Sequence, residues 1–152
     1  MMASALEREY ERIEDTFDRA EVLDRTAVEV SWQLPEQARK IQSVMRGMLE
    51  DVPPVTVVTA SRLLNINRKT VAEWADRGLL IEVRTFDGRR RHFEPIRLHQ
   101  VRHVVRQLHA AGQSRHLVDT IWYHLEDQTV LDREDLRTSL QQMHDGDVVQ
   151  AY

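Results

Sequence analysis

The chain has 152 residues, 41% hydrophobic and 30% charged, with a net charge of −4 and no cysteine. That length suits one small domain, or one with helical appendages, and is sufficient for an ordinary buried core. The missing cysteines exclude disulfides and thiolate metal sites, and no apolar run approaches the ~18–20 residues of a spanning helix or resembles a signal-peptide core, so a soluble, cytoplasmic protein is expected.

The mean charge conceals a strong asymmetry. Residues 55–116 carry 12 Lys and Arg against 5 Asp and Glu, whereas residues 1–54 carry 7 against 12 and residues 117–152 carry 2 against 8. A basic centre between acidic flanks is the distribution expected when one module faces phosphate and the others do something else.

Along residues 4–24, Leu6, Tyr10, Ile13, Phe17 and Ala20 alternate at spacings of four and three. This predicts an amphipathic helix whose apolar stripe has the form of a short coiled-coil seam. Residues 26–34 are open between two readings, since Val28, Val30, Trp32 and Leu34 alternate as in a strand and a helix fits equally. Pro35 suits the first turn of a helix running to about Glu50, with Ala38, Ile41, Met45 and Met48 on one face. Asp51-Val52-Pro53-Pro54 is the clearest break. It divides an acidic helical arm, 1–53, from a central domain, 54–112, and an acidic C-terminal helical segment, 113–152.

In the central domain, Val55-Thr56-Val57-Val58 reads as a short strand or extended lead-in. Thr59 is the expected N-cap of a short helix, Ala60–Leu64, and Asn65-Ile66-Asn67 the turn that ends it. Arg68–Arg77 reads as a second helix closed by Gly78 at C′. Ala60, Leu63, Leu64, Ile66, Val71, Trp74, Leu79 and Leu80 supply a shared small core. Arg68, Lys69 and Thr70 occupy the first turn of the second helix, where backbone N–H groups and the positive end of the helix dipole favour phosphate. Ile81–Phe86 and Arg89–Phe93 then read as the strands of a hairpin turning at Asp87-Gly88, with Arg89, Arg90 and Arg91 near its tip. After Pro95 a helix is expected to run to Ala111, with Leu98, Val101, Val105 and Leu108 inward and Arg97, Arg102 and Arg106 adding to the basic surface.

This ordered combination, "TASRLLNINRKTVAEWADRGLL", the "DGRRRHF" hairpin and the helix ending "QLHAAG", resembles the winged helix-turn-helix domains of the MerR and excisionase group. The resemblance covers somewhat more than a third of the chain, Val58 to Gly112. It implies a mainly α fold in which a winged helix-turn-helix with a short β-hairpin wing is flanked by N- and C-terminal helices. By the same resemblance Arg68, Lys69 and Thr70 are recognition-helix contacts and Arg89, Arg90 and Arg91 wing contacts. The full set expected to face DNA is Arg62, Asn67, Arg68, Lys69, Thr70, Glu73, Arg77, Arg84, Arg89, Arg90 and Arg91. The chain departs from MerR sensors in lacking a cysteine metal site and a single long dimerisation helix after the domain. Its acidic N-terminal segment resembles, more weakly, that of excisionase-like antitoxins.

The remaining constellations do not indicate chemistry. His99 and His103 stand at i, i+4, a chelating spacing, but His92 and His109 are the only nearby imidazoles, and two surface histidines on a basic helix are the simpler expectation. No HExxH, phosphate-binding glycine loop or GxSxG is present, and Glu126, Asp127, Asp132, Glu134 and Asp135 read as a solvated acidic surface rather than a catalytic pair. Leu117, Val118, Ile121, Trp122 and Leu125 suggest an amphipathic helix beside Tyr123, and Asp132 the cap of a last helix with Leu136, Leu140 and Met143. The sequence therefore predicts no enzyme, cofactor or metal. It predicts a nucleoid-associated transcriptional regulator that binds double-stranded DNA as a homodimer, the dimer interface drawing on the 6–20 stripe or the C-terminal helices. An antitoxin whose acidic arms bind a toxin is the alternative, and an architectural excisionase that bends DNA is a third reading.

Overall fold

The computed structural model describes residues 4–84 and 90–126, and over these the fold is mainly helical with one small antiparallel sheet. Helix α1, Ala5–Val30, starts at a capping box in which Ser4 Oγ accepts from the Glu7 amide and the Glu7 carboxylate accepts from the Ser4 amide. The open segment 26–34 resolves as helix to Val30 and then a tight turn. Val28 and Trp32 are exposed, so the alternation there marks no buried strand face. Pro35 opens α2, Pro35–Glu50, which folds back on α1 around Ala20, Ala27 and Ala38, all buried. Such small residues let two helices approach closely.

After the break at Pro53-Pro54 come β1, Val55–Thr56, and α3, Val57–Leu64. Helix α3 begins three residues before the start expected at Ala60, because Thr56 rather than Thr59 supplies the N-cap and its Oγ1 accepts from the Thr59 amide. Val57 and Val58, strand formers by propensity, are thereby drawn into the first helical turn, a case of tertiary context overriding propensity. Helix α4, Arg68–Asp76, is followed by β2, Glu82–Val83, β3, His92–Phe93, and α5, Pro95–Ala110. The sheet order is β1-β3-β2, both pairs antiparallel, with Val55 and Glu82 opposite Phe93, and Thr56 and Val83 opposite His92. Glu94 caps α5, its carboxylate accepting from the Ile96 and Arg97 amides. Gly78, at φ 79, and Gly112, at φ 84, close α4 and α5 in the left-handed region that glycine enters without strain. The Asp87-Gly88 turn lies outside the described residues.

Among the described residues, those up to Gln113 form one compact unit and those from Ser114 on a second. The break at Pro53-Pro54 is therefore a corner inside the first unit. In the second, residues 117–126 are helical, and the helix expected from Asp132 lies outside the described residues.

The core of the first unit joins Phe17 and Ile13 of α1 to Leu63 and Leu64 of α3 and Leu98, Val101 and Val105 of α5, with Val71, Trp74, Phe93 and Val55 beneath the sheet, all at most 5% exposed. Two expectations are corrected here. The 6–20 stripe is not a free coiled-coil seam, because Ile13, Phe17 and Ala20 are buried within this chain while Leu6 is 45% exposed. Nor do Arg102, His99 and His103 belong to an outward basic face. Arg102 is 1% exposed and donates to Asp18 of α1 at 2.8 Å, with Arg106 at 3.5 Å from the same carboxylate. His99 is buried edge-on against Phe17, ring centroids 5.6 Å apart, and His103 Nδ1 lies 2.8 Å from Glu21. The physical reason is that α5 is covered on two sides, so side chains flanking its apolar stripe are buried as well.

These histidines respond to pH in opposite directions. The Glu21 hydrogen bond raises the His103 pKa above the ordinary 6.5, whereas burial lowers that of His99 below it. Burial works to raise the Glu21 pKa, but the His103 hydrogen bond and nearby cations leave it lowered from 4.5. His103 thus adds stability that is complete below 6.5 and lost as pH rises through its raised folded value. His99 adds stability present above 6.5 and lost as pH falls toward its lowered value, and Glu21 does the same below 4.5. Urea denaturation should therefore find His103→Ala more destabilising at about pH 6 than at about pH 8.5, and His99→Leu gaining on the wild type as pH falls over that range. A penalty for His103→Ala that is the same at both pH values would contradict the assignment.

Candidate nucleic-acid interface

Helices α3 and α4 and the turn between them present most of the residues that the sequence marks as DNA-facing. The turn is built by local chemistry. Asn65 ends α3 at φ 54, a left-handed conformation that asparagine tolerates, and the Ile66 amide donates back to the Ser61 carbonyl at 3.1 Å. Ser61 Oγ also donates to the Ile66 carbonyl, so the turn is tied at both polar groups of one residue. Asn67 then caps α4, its Oδ1 accepting from the Thr70 amide at 2.8 Å and the Thr70 hydroxyl at 2.9 Å. The Thr70 hydroxyl proton and the Asn67 carbonyl are consequently engaged within the turn. The Asn67 amide group and the Thr70 oxygen lone pairs remain for an outside partner.

Val71 and Trp74, buried at 0% and 3% exposure, fix the rotation of α4. With about 3.6 residues per turn, Lys69 and Glu73 then stand on the opposite side and Arg68 at the exposed N-terminal end. Arg77, at the C-cap, and Arg84, after β2, are exposed, as is Arg90. Among the described residues Arg68, Lys69, Arg77, Arg84 and Arg90 enter no ion pair. Arg89 lies outside the described residues.

Two of the expected contacts sit elsewhere. Arg62 is exposed, but its guanidinium lies 3.9 Å over the Tyr10 ring of α1, a cation–π geometry that holds it toward the N-terminal helix. Arg91 is a clamp. It donates to Asp76 at the end of α4 at 2.8 Å and to Glu82 of β2, and these hydrogen bonds, Glu82 first, raise its pKa further above the ordinary guanidinium value. Asp76 and Glu82 are structural partners that sequence reasoning missed. The available signal was the diagonal placement of Glu82 and Arg91 across the hairpin, Arg91 lying two residues before Phe93, the partner of Glu82, within reach of long charged side chains. The clamp neutralises two carboxylates that would otherwise repel phosphate beside α4, and it anchors the hairpin to the helix.

The basic surface so built is a set of unpaired cations on α4 and the hairpin, flanked by Glu73 as the one exposed acid on the outward side of α4 that lacks an ion pair. No family model, curated protein or solved structure matches the chain. Among the described residues no helix is long and apolar enough to cross a membrane.

Two substitutions test how the interface is held. Asn67→Ala should cost about 0.5–2 kcal/mol of stability in denaturant titration, as loss of a helix cap does. Arg91→Ala should cost only about 1 kcal/mol or less, since its partners are solvent-exposed. The same change should nonetheless raise amide hydrogen exchange at Val83 and Phe93 above that of α5, because the hairpin loses its tie to α4.

Proposed function

We propose that this protein is a sequence-specific DNA-binding transcriptional regulator acting at the nucleoid, a winged helix-turn-helix of the MerR and excisionase type that binds operator DNA as a dimer. In this reading α3, the Asn65–Asn67 turn and α4 are the helix-turn-helix, β2 and β3 the stem of the wing, and α4 enters the major groove N-terminal end first. The observation that carries it is the exposed first turn of α4, where Arg68 and Lys69 stand unpaired beside backbone N–H groups while Val71 and Trp74 anchor the opposite side. Arg68 is placed to read guanine, which takes a bidentate guanidinium, and Glu73 to accept from cytosine. Arg84 and Arg90 hold backbone phosphate on either side of the hairpin. Arg91 supports the wing from within, through Asp76 and Glu82.

Dimerisation supplies the second half-site that a single short recognition helix needs for specificity. Since the α1 stripe is used internally, the dimer surface must lie on other exposed apolar residues. A second reading, an antitoxin whose acidic arm holds a toxin, is favoured by one observation. Trp32, at the corner between α1 and α2, is 94% exposed, with Val28 at 62% and Leu34 at 47% near it in sequence. Exposed aromatic and aliphatic side chains of this kind suit a protein partner.

Fluorescence anisotropy with duplex from upstream of the gene, against a scrambled duplex at two salt concentrations, tests the proposal. Preferential binding is expected, with log affinity falling linearly in log salt at roughly 0.9 per phosphate contacted. Arg68→Ala should lose roughly 1–3 kcal/mol on the preferred duplex and less on the scrambled one. Arg90→Ala should weaken both alike and reduce the salt slope by about one. Equal affinity of wild type and both variants would remove the assignment.

A further inference from the structure

On the side of α3 that faces α1 and α5, a cleft of about 410 Å³ opens between the helices. Tyr10 and Glu14 of α1, Arg62 of α3 and Arg102, Arg106 and His109 of α5 line it. The volume lies within the roughly 300–1,000 Å³ of small-molecule sites. Its lining is unusual in charge, with three guanidiniums and an imidazole converging on one cavity. Of the nearby carboxylates, Asp18 is paired with Arg102 and Arg106, and Glu14, which accepts from the Tyr10 hydroxyl, keeps its charge but is outnumbered by the guanidiniums. Arg62 has no carboxylate partner among the described residues and only stacks on Tyr10.

An independent observation points to a ligand. Arg102, 1% exposed, uses one Nη to reach Asp18, while its Nε and its other Nη make no hydrogen bond. A buried guanidinium with unmet donors is costly, and an anionic oxygen is the partner that satisfies it best. Among the described residues no side chain fills that role.

We propose that this cleft binds a small free oxyanion, a carboxylated or phosphorylated molecule, whose charged oxygens accept from Arg62 and Arg106 and, at the floor, from the unmet donors of Arg102. Those two Arg102 nitrogens are closed off from solvent in the structure, so a ligand reaches them only if the floor opens. Asn65, which also lines the cleft, begins the turn leading to α4. The inference concerns ligand binding alone and stands whether or not the chain binds DNA.

The test is isothermal titration of the full chain with citrate and with inorganic phosphate at matched ionic strength, without DNA. Saturable binding of at least one of the two, one per chain, is expected. It should weaken by about tenfold or more in Arg62→Ala and in Arg106→Gln, as loss of a charge-assisted hydrogen bond implies, and stay unchanged in Arg46→Gln, which lies on α2. Both diagnostic residues are exposed, so these variants should fold, as circular dichroism checks. Non-saturable binding, or equal affinity in the cleft variants and Arg46→Gln, would overturn the proposal. A parallel arm with a short duplex separates the two sources of anionic oxygen. If Arg62→Ala and Arg106→Gln weaken duplex binding while neither free anion binds, the cleft takes DNA phosphate and the free-ligand assignment is overturned.

Discussion

Arg102 reaches out of α5 to Asp18 of α1 from a position that is almost entirely buried, and the arrangement of the first unit depends on that contact. A guanidinium out of water must be paired, and its partner must come from another element. Phe17, one residue before Asp18, lies on the same side, 5.7 Å beneath the guanidinium and edge-on to His99. Three residues further along α1, Glu21 holds His103. Two acids spaced by three on α1 thus meet Arg102, His103 and Arg106 on α5, which fixes both the register and the face of the crossing. The N-terminal helical hairpin is consequently part of the same core as α3 and the sheet.

That docking sorts the arginines of the basic centre. On α5, Arg102 is buried against Asp18 and the exposed Arg106 leans to the same carboxylate, while Arg62 of α3 stacks on Tyr10. Arg91 is consumed in holding the hairpin to α4. Most of what enters no ion pair among the described residues of the basic centre is on α4 and the hairpin, at Arg68, Lys69, Arg77, Arg84 and Arg90, with Arg97 on α5. The acid-rich α1 therefore restricts where the basic charge is displayed. A surface arginine already held by carboxylates contributes little to a long-range field, whereas unpaired cations steer a polyanion toward one face.

The α3–α4 segment was largely legible in the sequence because its signals are local. The Asn65-Ile66-Asn67 turn, Gly78 at C′ and the Val71–Trp74 spacing each act within a few residues, and the structure holds α4 at Arg68–Asp76. The start of α3 was misplaced because Thr56 does two jobs, pairing with His92 in the sheet and capping the helix, and only the sheet partner reveals the first. The extent of α1 was obscured by an alternation of Val28, Val30, Trp32 and Leu34 that carries no burial. Least legible was α5. Leu98, Val101, Val105 and Leu108 marked one inward face, but nothing in that stripe tells that a helix some 80 residues earlier, the separation of the Arg102–Asp18 pair, covers the adjacent side. Matching charges at i, i+3 on two distant helices are a signal only once the helices are known to touch.

The proposed function assigns DNA to the unpaired cations of α4 and the hairpin and not to the α1–α2 corner. Backbone amide chemical-shift mapping during titration with an operator duplex tests it most directly. The account predicts that the largest perturbations fall on Asn67, Arg68, Lys69 and Thr70, with a second group at Arg84 and Arg90 and little change around Trp32. Perturbations centred on Val28, Trp32 and Leu34, with α4 unmoved, would contradict it.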